Sequence, residues 1–134
     1  MAGISNYYED LVLKALLRGV NLTAPTNLYA SAHIGDPGDT GANEVSAGNY
    51  ARQAITFADP VDNGTKKECA SNSDVVFPRA TVAYGGGSGV TYFGVWTAAS
   101  GGQCVWSGQL TTPKVIDADD QLKYESGDII LSLD

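Results

Sequence analysis

The chain has few side chains that can act as a nucleophile or a base, because it contains one histidine, His33, and two cysteines, Cys69 and Cys104. A hydrolytic triad places a base beside a serine or cysteine, and no G-x-S-x-G motif surrounds any serine of this chain. His33 lies in a segment predicted to be a strand, where it is expected to be an ordinary residue of a sheet face. We therefore predict no catalytic residue and no enzymatic activity.

Two acidic loops and one glycine-rich loop are the remaining candidates for a cofactor or metal site. Asp36 and Asp39 lie in one turn-rich loop, and three further aspartates lie in 117–120. Clustered carboxylates suit Ca²⁺, but neither loop matches an EF-hand, and aspartate in turns usually bonds its own backbone. The glycines of 85–89 are not followed by Gly-Lys-Ser/Thr, so this loop is expected to be a hairpin tip rather than a phosphate loop. No metal and no cofactor are predicted.

The two cysteines form no C-x-x-C pair, and together with His33 they supply fewer than the roughly four ligands of structural zinc. Free thiols are expected for a chain that stays in a reducing compartment. A disulfide between Cys69 and Cys104 is the alternative if the mature protein ends up outside a cell.

Composition excludes several classes of protein. The net charge of −7 gives no electrostatic footprint for nucleic acid. Hydrophobic residues make up 43% of the chain, too many for a disordered tail, yet no apolar run approaches bilayer length. The first residues lack the basic and apolar regions of a signal peptide. We expect no membrane span and a single domain over 1–134.

One amphipathic helix is predicted over 5–18, with Ser5 as its N-cap and Gly19 as its stop. Its apolar face comprises Tyr8, Leu11, Val12, Ala15 and Leu16. Leu13 and Leu17 lie beside that face. Such a helix must dock either on a sheet or on a neighbouring subunit.

From residue 26 the hydrophobic period changes to two, which predicts short strands separated by turn residues. The predicted strands cover 27–34, 50–57, 74–78, 79–84, 90–97, 103–110, 121–125 and 128–133. This spacing predicts an all-β fold over 26–134, an antiparallel β-sandwich of jelly-roll-like topology behind the N-terminal helix. Tyr92, Trp96 and Trp106 are expected to stack across one hairpin and anchor its core, with an exposed sugar-binding platform as the alternative.

Several blocks of the sequence resemble a family of small structural proteins encoded in the morphogenesis clusters of tailed phages. Its members are commonly labelled tail fibre proteins and, in some phages, capsid cement or decoration proteins. The most specific block is E-V-S-A-G-N-Y-A-R over 44–52, preceded by G-D-P-G over 35–38. Further matching blocks are S-N-Y-Y-E over 5–9, Y-F-G-V-W over 92–96 and G-D-I over 127–129.

The resemblance implies a structural component of a phage virion, assembled in the bacterial cytoplasm. The leading hypothesis is a capsid cement or decoration protein that stabilises the shell by contacting the major capsid protein. The alternatives are a tail fibre or baseplate component that contacts a host glycan, and a carbohydrate-binding module. Contacts with other virion subunits and a homo-oligomer are expected. The candidate interface residues are Tyr8, Leu11, Val12, Leu16, Arg52 and Arg79, with intrachain ion pairs as the alternative for the two arginines.

Overall fold

The computed structural model describes residues 3–85 and 87–133, and within them the chain forms ten strands and one helix. In chain order these are β1 (Gly3–Ile4), α1 (Asn6–Arg18), β2 (Leu28–His33), β3 (Gln53–Ile55), β4 (Val61–Asp62), β5 (Lys67–Ala70), β6 (Val75–Val76), β7 (Val90–Trp96), β8 (Cys104–Lys114), β9 (Lys123–Tyr124) and β10 (Ile130–Leu133).

The strands form three antiparallel sheets that pack around one core. The large sheet has the order β1-β8-β7-β2-β3, the second has the order β10-β5-β4, and β6 pairs with β9. Every strand pair is antiparallel. The predicted fold class, a sandwich-like antiparallel β-fold with one N-terminal helix, is confirmed, and its strands are divided five, three and two.

The large sheet has two different faces because side chains alternate along each strand. On the core face, Ala30 lies opposite Val95 and Ala32 lies opposite Phe93, and all four are buried. The small side chains of Ala30 and Ala32 leave room on β2, and the Tyr124 hydroxyl of β9 donates to the Ser31 carbonyl oxygen there at 3.0 Å. The second face carries polar residues instead, and the segment 35–52 covers it.

Aromatic side chains fill the centre of the core. The Phe77 and Tyr124 rings meet edge to face at 5.2 Å, and Tyr50 stacks on Phe77 at 5.9 Å. Tyr84 meets Tyr50 edge to face at 5.7 Å. Such aromatic pairs stabilise a fold beyond the burial of their surface area. They therefore hold the segments that carry these rings together in one core.

Three details differ from the expectations drawn from the sequence. Residues 79–84, predicted as a strand, are irregular and buried chiefly at Ala80 and Tyr84. The hairpin of β4 and β5 was not predicted, because none of its strand residues is buried and they show no apolar alternation. Trp106 lies opposite Val95, on the other face of the sheet from Trp96, so the predicted stack across the hairpin does not form.

The helix begins and ends as predicted, but its N-terminus is capped from elsewhere. Ser5 occupies the N-cap position, yet its hydroxyl makes no capping hydrogen bond. The Asn6 N–H instead donates to the Asp39 carboxylate at 3.2 Å, a negative group at the positive end of the helix dipole. Gly19 ends the helix with φ 67°.

Gly94 is a position where the large sheet has no room for a side chain. A Cβ atom there would lie 2.5 Å from the Ser31 Oγ and 2.8 Å from the His33 Nε2. We expect Gly94→Ala to lower the free energy of unfolding by about 1–3 kcal/mol, the usual cost of overpacking a core. Gly87→Ala is the matched control, because a Cβ at Gly87 meets no atom within 4 Å. Thermal melts that show equal stability for the two variants would contradict this packing.

Candidate functional site

His33 and Ser31 form a buried hydrogen-bonded pair on the second face of the large sheet. The Ser31 Oγ lies 2.7 Å from His33 Nε2, and His33 Nδ1 lies 2.7 Å from the Ala42 carbonyl oxygen. Since a carbonyl only accepts, Nδ1 carries the proton and Nε2 accepts from the Ser31 hydroxyl. The Trp96 indole N–H donates to the same Ser31 oxygen at 2.8 Å. With the proton on Nδ1, His33 satisfies the hydrogen bonds to both Ala42 and Ser31.

This pair has the hydrogen bond of a nucleophile and its base, but it lacks access for a substrate. Both side chains are 0% exposed. Burial lowers the pKa of His33 below its ordinary value, which outweighs the raising effects of the Ala42 hydrogen bond and of Glu44. A neutral, enclosed imidazole that is fully hydrogen-bonded holds strands and loop together. This geometry agrees with a structural role for His33 within the sheet.

Arg52 is held by a bidentate ion pair that lies beside the Ser31–His33 pair. Its Nε donates to Glu44 Oε2 and its Nη2 to Glu44 Oε1, both at 2.9 Å. The guanidinium carbon lies 3.6 Å from the centre of the Trp96 ring, a cation–π contact. Nη1 donates to the carbonyl oxygens of Ala98 and Gly101 at 2.9 and 2.8 Å. The Arg52 side chain is 8% exposed, and four of its five N–H donors are used within the chain.

Glu44 completes this cluster as an ionised acceptor. Burial acts to raise the pKa of Glu44, but the hydrogen bonds from Arg52 and Tyr50 outweigh it and hold that pKa below its ordinary value. The Tyr50 hydroxyl donates to Glu44 Oε2 at 2.8 Å and accepts from the Ala32 N–H at 2.9 Å. Because Ala32 belongs to β2, these bonds tie the segment 44–52 directly to the large sheet.

The structure separates the two arginines named from the sequence. Arg52 makes the intrachain ion pair that was the alternative to an intersubunit contact. Arg79 is exposed, and its Nη1 donates to the Asp119 carbonyl oxygen at 2.5 Å. Only Arg79 therefore presents its charge at the surface.

The acidic loops use their carboxylates to shape the backbone. Asp36 Oδ1 accepts from the Gly38 N–H at 2.9 Å, and Asp120 Oδ2 accepts from the Asp117 N–H at 3.0 Å. Across residues 3–85 and 87–133, no three His, Cys, Asp or Glu side chains are grouped closely enough to hold a metal ion. The same described part of the chain has no helix long and apolar enough to cross a membrane.

The two cysteines are free thiols in different surroundings. Cys104 is buried, and burial raises the pKa of its thiol to about 11. Cys69 on β5 is partly exposed.

The glycine-rich loop between residue 84 and β7 includes Gly86, which lies outside the described residues.

Helix α1 carries several exposed apolar side chains. None of its residues is buried, although Tyr8, Leu11 and Val12 are partly covered. Beside these residues the helix carries its three most exposed leucines, and we name them the leucine face. They are Leu13, Leu16 and Leu17, which are 57%, 77% and 75% exposed. Of the predicted interface residues, Leu16 is thus the one most available to a partner.

An apolar cleft opens between the large sheet and the sheet of β10, β5 and β4. Its volume is about 380 Å³, and we name it the wedge. Its apolar walls are formed by Leu28, Phe57, Cys69, Val95, Trp106 and Leu131. Sequence reasoning missed the wedge because the pattern of a strand predicts which side chains face inward, and not how far apart two sheets lie.

One comparison with known proteins covers nearly the whole chain. The family model described as podophage GP4 fiber I protein gp80 matches residues 3–132. No curated protein matches the chain.

The ion pair of Arg52 gives a first prediction for this region. We expect Arg52→Ala to lower the free energy of unfolding by about 3 kcal/mol, because it leaves the half-enclosed Glu44 carboxylate and two carbonyl oxygens without their donor. Lys67→Ala is the control, since its ion pair with Asp62 spans 3.6 Å between exposed side chains. That variant should change stability by less than ~0.5 kcal/mol in urea titrations. Equal effects of the two substitutions would show that the buried ion pair contributes no more to the free energy of unfolding than an exposed one.

His33 gives a second prediction, which concerns pH. The folded protein binds a proton at His33 less readily than the unfolded chain does. In the unfolded chain the pKa of this histidine has its ordinary value of 6.5. Below about pH 6.5 the unfolded state therefore takes up the proton first, and the free energy of unfolding falls by up to ~1.4 kcal/mol per pH unit. Protonation of Glu44 lowers the free energy of unfolding further only when the pH falls below 4.5, the ordinary pKa of this carboxyl. Urea titrations between pH 5 and 6.5 should show this slope in the natural chain and a flatter one in His33→Asn. The same slope in both proteins would exclude His33 as its source.

Proposed function

The chain belongs to the podophage GP4 fiber I protein gp80 family, and we propose from this membership that it is a subunit of a fibre on the phage virion. The sequence-based prediction of a tailed-phage structural protein family is confirmed, and so is the virion as its location. The observation that carries the proposal is the extent of the match, which spans residues 3–132.

The distribution of polar and apolar groups supports a role in assembly. The one Ser–His pair of the described residues is enclosed, while the leucine face and the wedge expose apolar surface. Exposed apolar patches of this kind mark sites where proteins contact one another. A subunit that is surrounded by other subunits in a particle gains stability by burying such surface.

We assign the contacts with neighbouring virion subunits to helix α1 and to Arg79. Tyr8, Leu11, Val12 and Leu16 lie on α1, where no side chain is fully buried. Arg79 is exposed and can contribute a charge to a contact with a carboxylate. Arg52 is left out of the proposed interface, because Glu44 and two carbonyl oxygens occupy its donors.

The cement hypothesis drawn from the sequence stays a second candidate. A compact β-domain with one outward apolar helix also suits a protein that binds many equivalent places on a preformed shell, where small contacts are multiplied. The carbohydrate-binding alternative needs exposed aromatic side chains. Trp96 does not provide one, since it is 6% exposed and covered by Arg52. A fibre subunit is favoured over both by the description of the family.

The position and copy number of the protein in a purified virion test this proposal. We expect gold-labelled antibodies to mark the fibres in electron micrographs, and quantitative mass spectrometry to find a copy number far below that of the major capsid protein. Labelling spread over the whole shell, with a copy number close to that of the capsid subunits, would replace the fibre assignment with the cement hypothesis. Absence of the protein from purified particles would reject both.

A further inference from the structure

Helix α1 has an apolar surface that no other described part of the chain buries. At 13 residues it is about 20 Å long, and a helix of that length is marginal in water without packing. Its N-terminal end is attached to the body by the pairing of β1 with β8 and by the Asp39 carboxylate. The leucine face lies further along, and Leu16 and Leu17 are each at least 75% exposed. This face needs a cover that its own sheets do not give it.

The wedge is an apolar space of suitable size and chemistry. A cavity of ~150 Å³ holds a benzene ring, so 380 Å³ has room for about two leucine-sized groups. The charged groups at its rim already have partners in the chain. Lys67 Nζ lies 3.6 Å from Asp62 Oδ2, and Glu68 Oε2 accepts from Asn63 Nδ2 at 3.0 Å. Covering the wedge with an apolar side chain therefore leaves neither of these charges buried without a partner.

We infer that the leucine face of one copy packs into the wedge of a second copy of this chain. The chain itself supplies both halves of the contact, a convex apolar helix and a concave apolar cleft. The inference rests on the proposed function, because a subunit of a fibre has copies of itself as neighbours. It adds the partner and the two surfaces that meet.

The size of this contact decides what kind of oligomer it forms. A helix face about 20 Å long and ~10 Å wide covers roughly 200 Å², well below the ~800 Å² per partner of a stable interface. One such contact is therefore weak. The two surfaces differ, so each copy can give its helix and also receive one, and the contacts repeat in a reciprocal pair or a ring. Repetition multiplies contacts that are each weak.

Cys69 makes the contact measurable, because this thiol lines the wedge. We replace Leu16 by cysteine in the full-length protein and add a short bismaleimide at pH 7. The buried Cys104, with its thiol pKa of about 11, stays protonated and unreactive. We expect covalent dimers that depend on both Cys69 and the new thiol. A mixture of L16C/C69S protein with the natural chain should give the same dimer, which proves that the link joins two copies.

Two further variants define the outcome. Arg18→Cys places a thiol on the same helix but away from the leucine face and should give at least tenfold less dimer. L16C/C69S alone should give none, and dimers from that protein would mean that two helices meet each other, which overturns the inference. A link within one chain would overturn it as well, since the helix would then fill its own wedge.

Absence of any link across the accessible protein concentrations also rejects the inference. Because Leu16 is 77% exposed, L16C should melt like the natural protein, so a failure to fold does not explain a negative result. The test uses the isolated protein. The fibre assignment depends instead on the location in the virion, so either can fail without the other.

Discussion

The ion pair of Arg52 and Glu44, stacked on Trp96, is the contact on which the arrangement of the large sheet depends. Taking two charges from water is costly, and the pair is retained because nearly every donor and acceptor around it is matched. Its result is geometric: the segment 35–52 lies against the polar face of the sheet and closes it. The groups that could have formed a reactive site, Ser31 and His33, are thereby enclosed.

The other face of the large sheet is closed less completely. There the core face of the large sheet meets two small sheets, and the packing is complete around Phe77 and Tyr124 but incomplete at the wedge. The helix adds a second incomplete surface. A protein built in this way leaves apolar surface uncovered, which is typical of a protein that contacts other subunits.

Regular periodicity made part of this structure predictable. The helix, β2 and β7 follow from spacings of about four and two residues, because each must bury one face. The β4–β5 hairpin escaped prediction because it buries little and is held by backbone bonds. Arg52 could be paired in principle with many carboxylates, and only the fold shows that Glu44 is its partner. The wedge depends on the distance between two sheets, a quantity that residue order does not encode locally.

The single-ended attachment of α1 makes the helix a lever. Its fulcrum is the Asn6 N–H bonded to Asp39, and its free end is Arg18, about 18 Å away along the axis. A tilt of ~10° at the fulcrum moves the free end by roughly 3 Å. If α1 carries a contact between subunits, as proposed, that contact can change its angle while the body of each subunit stays rigid. Its stiffness then depends on the loop that carries Asp39.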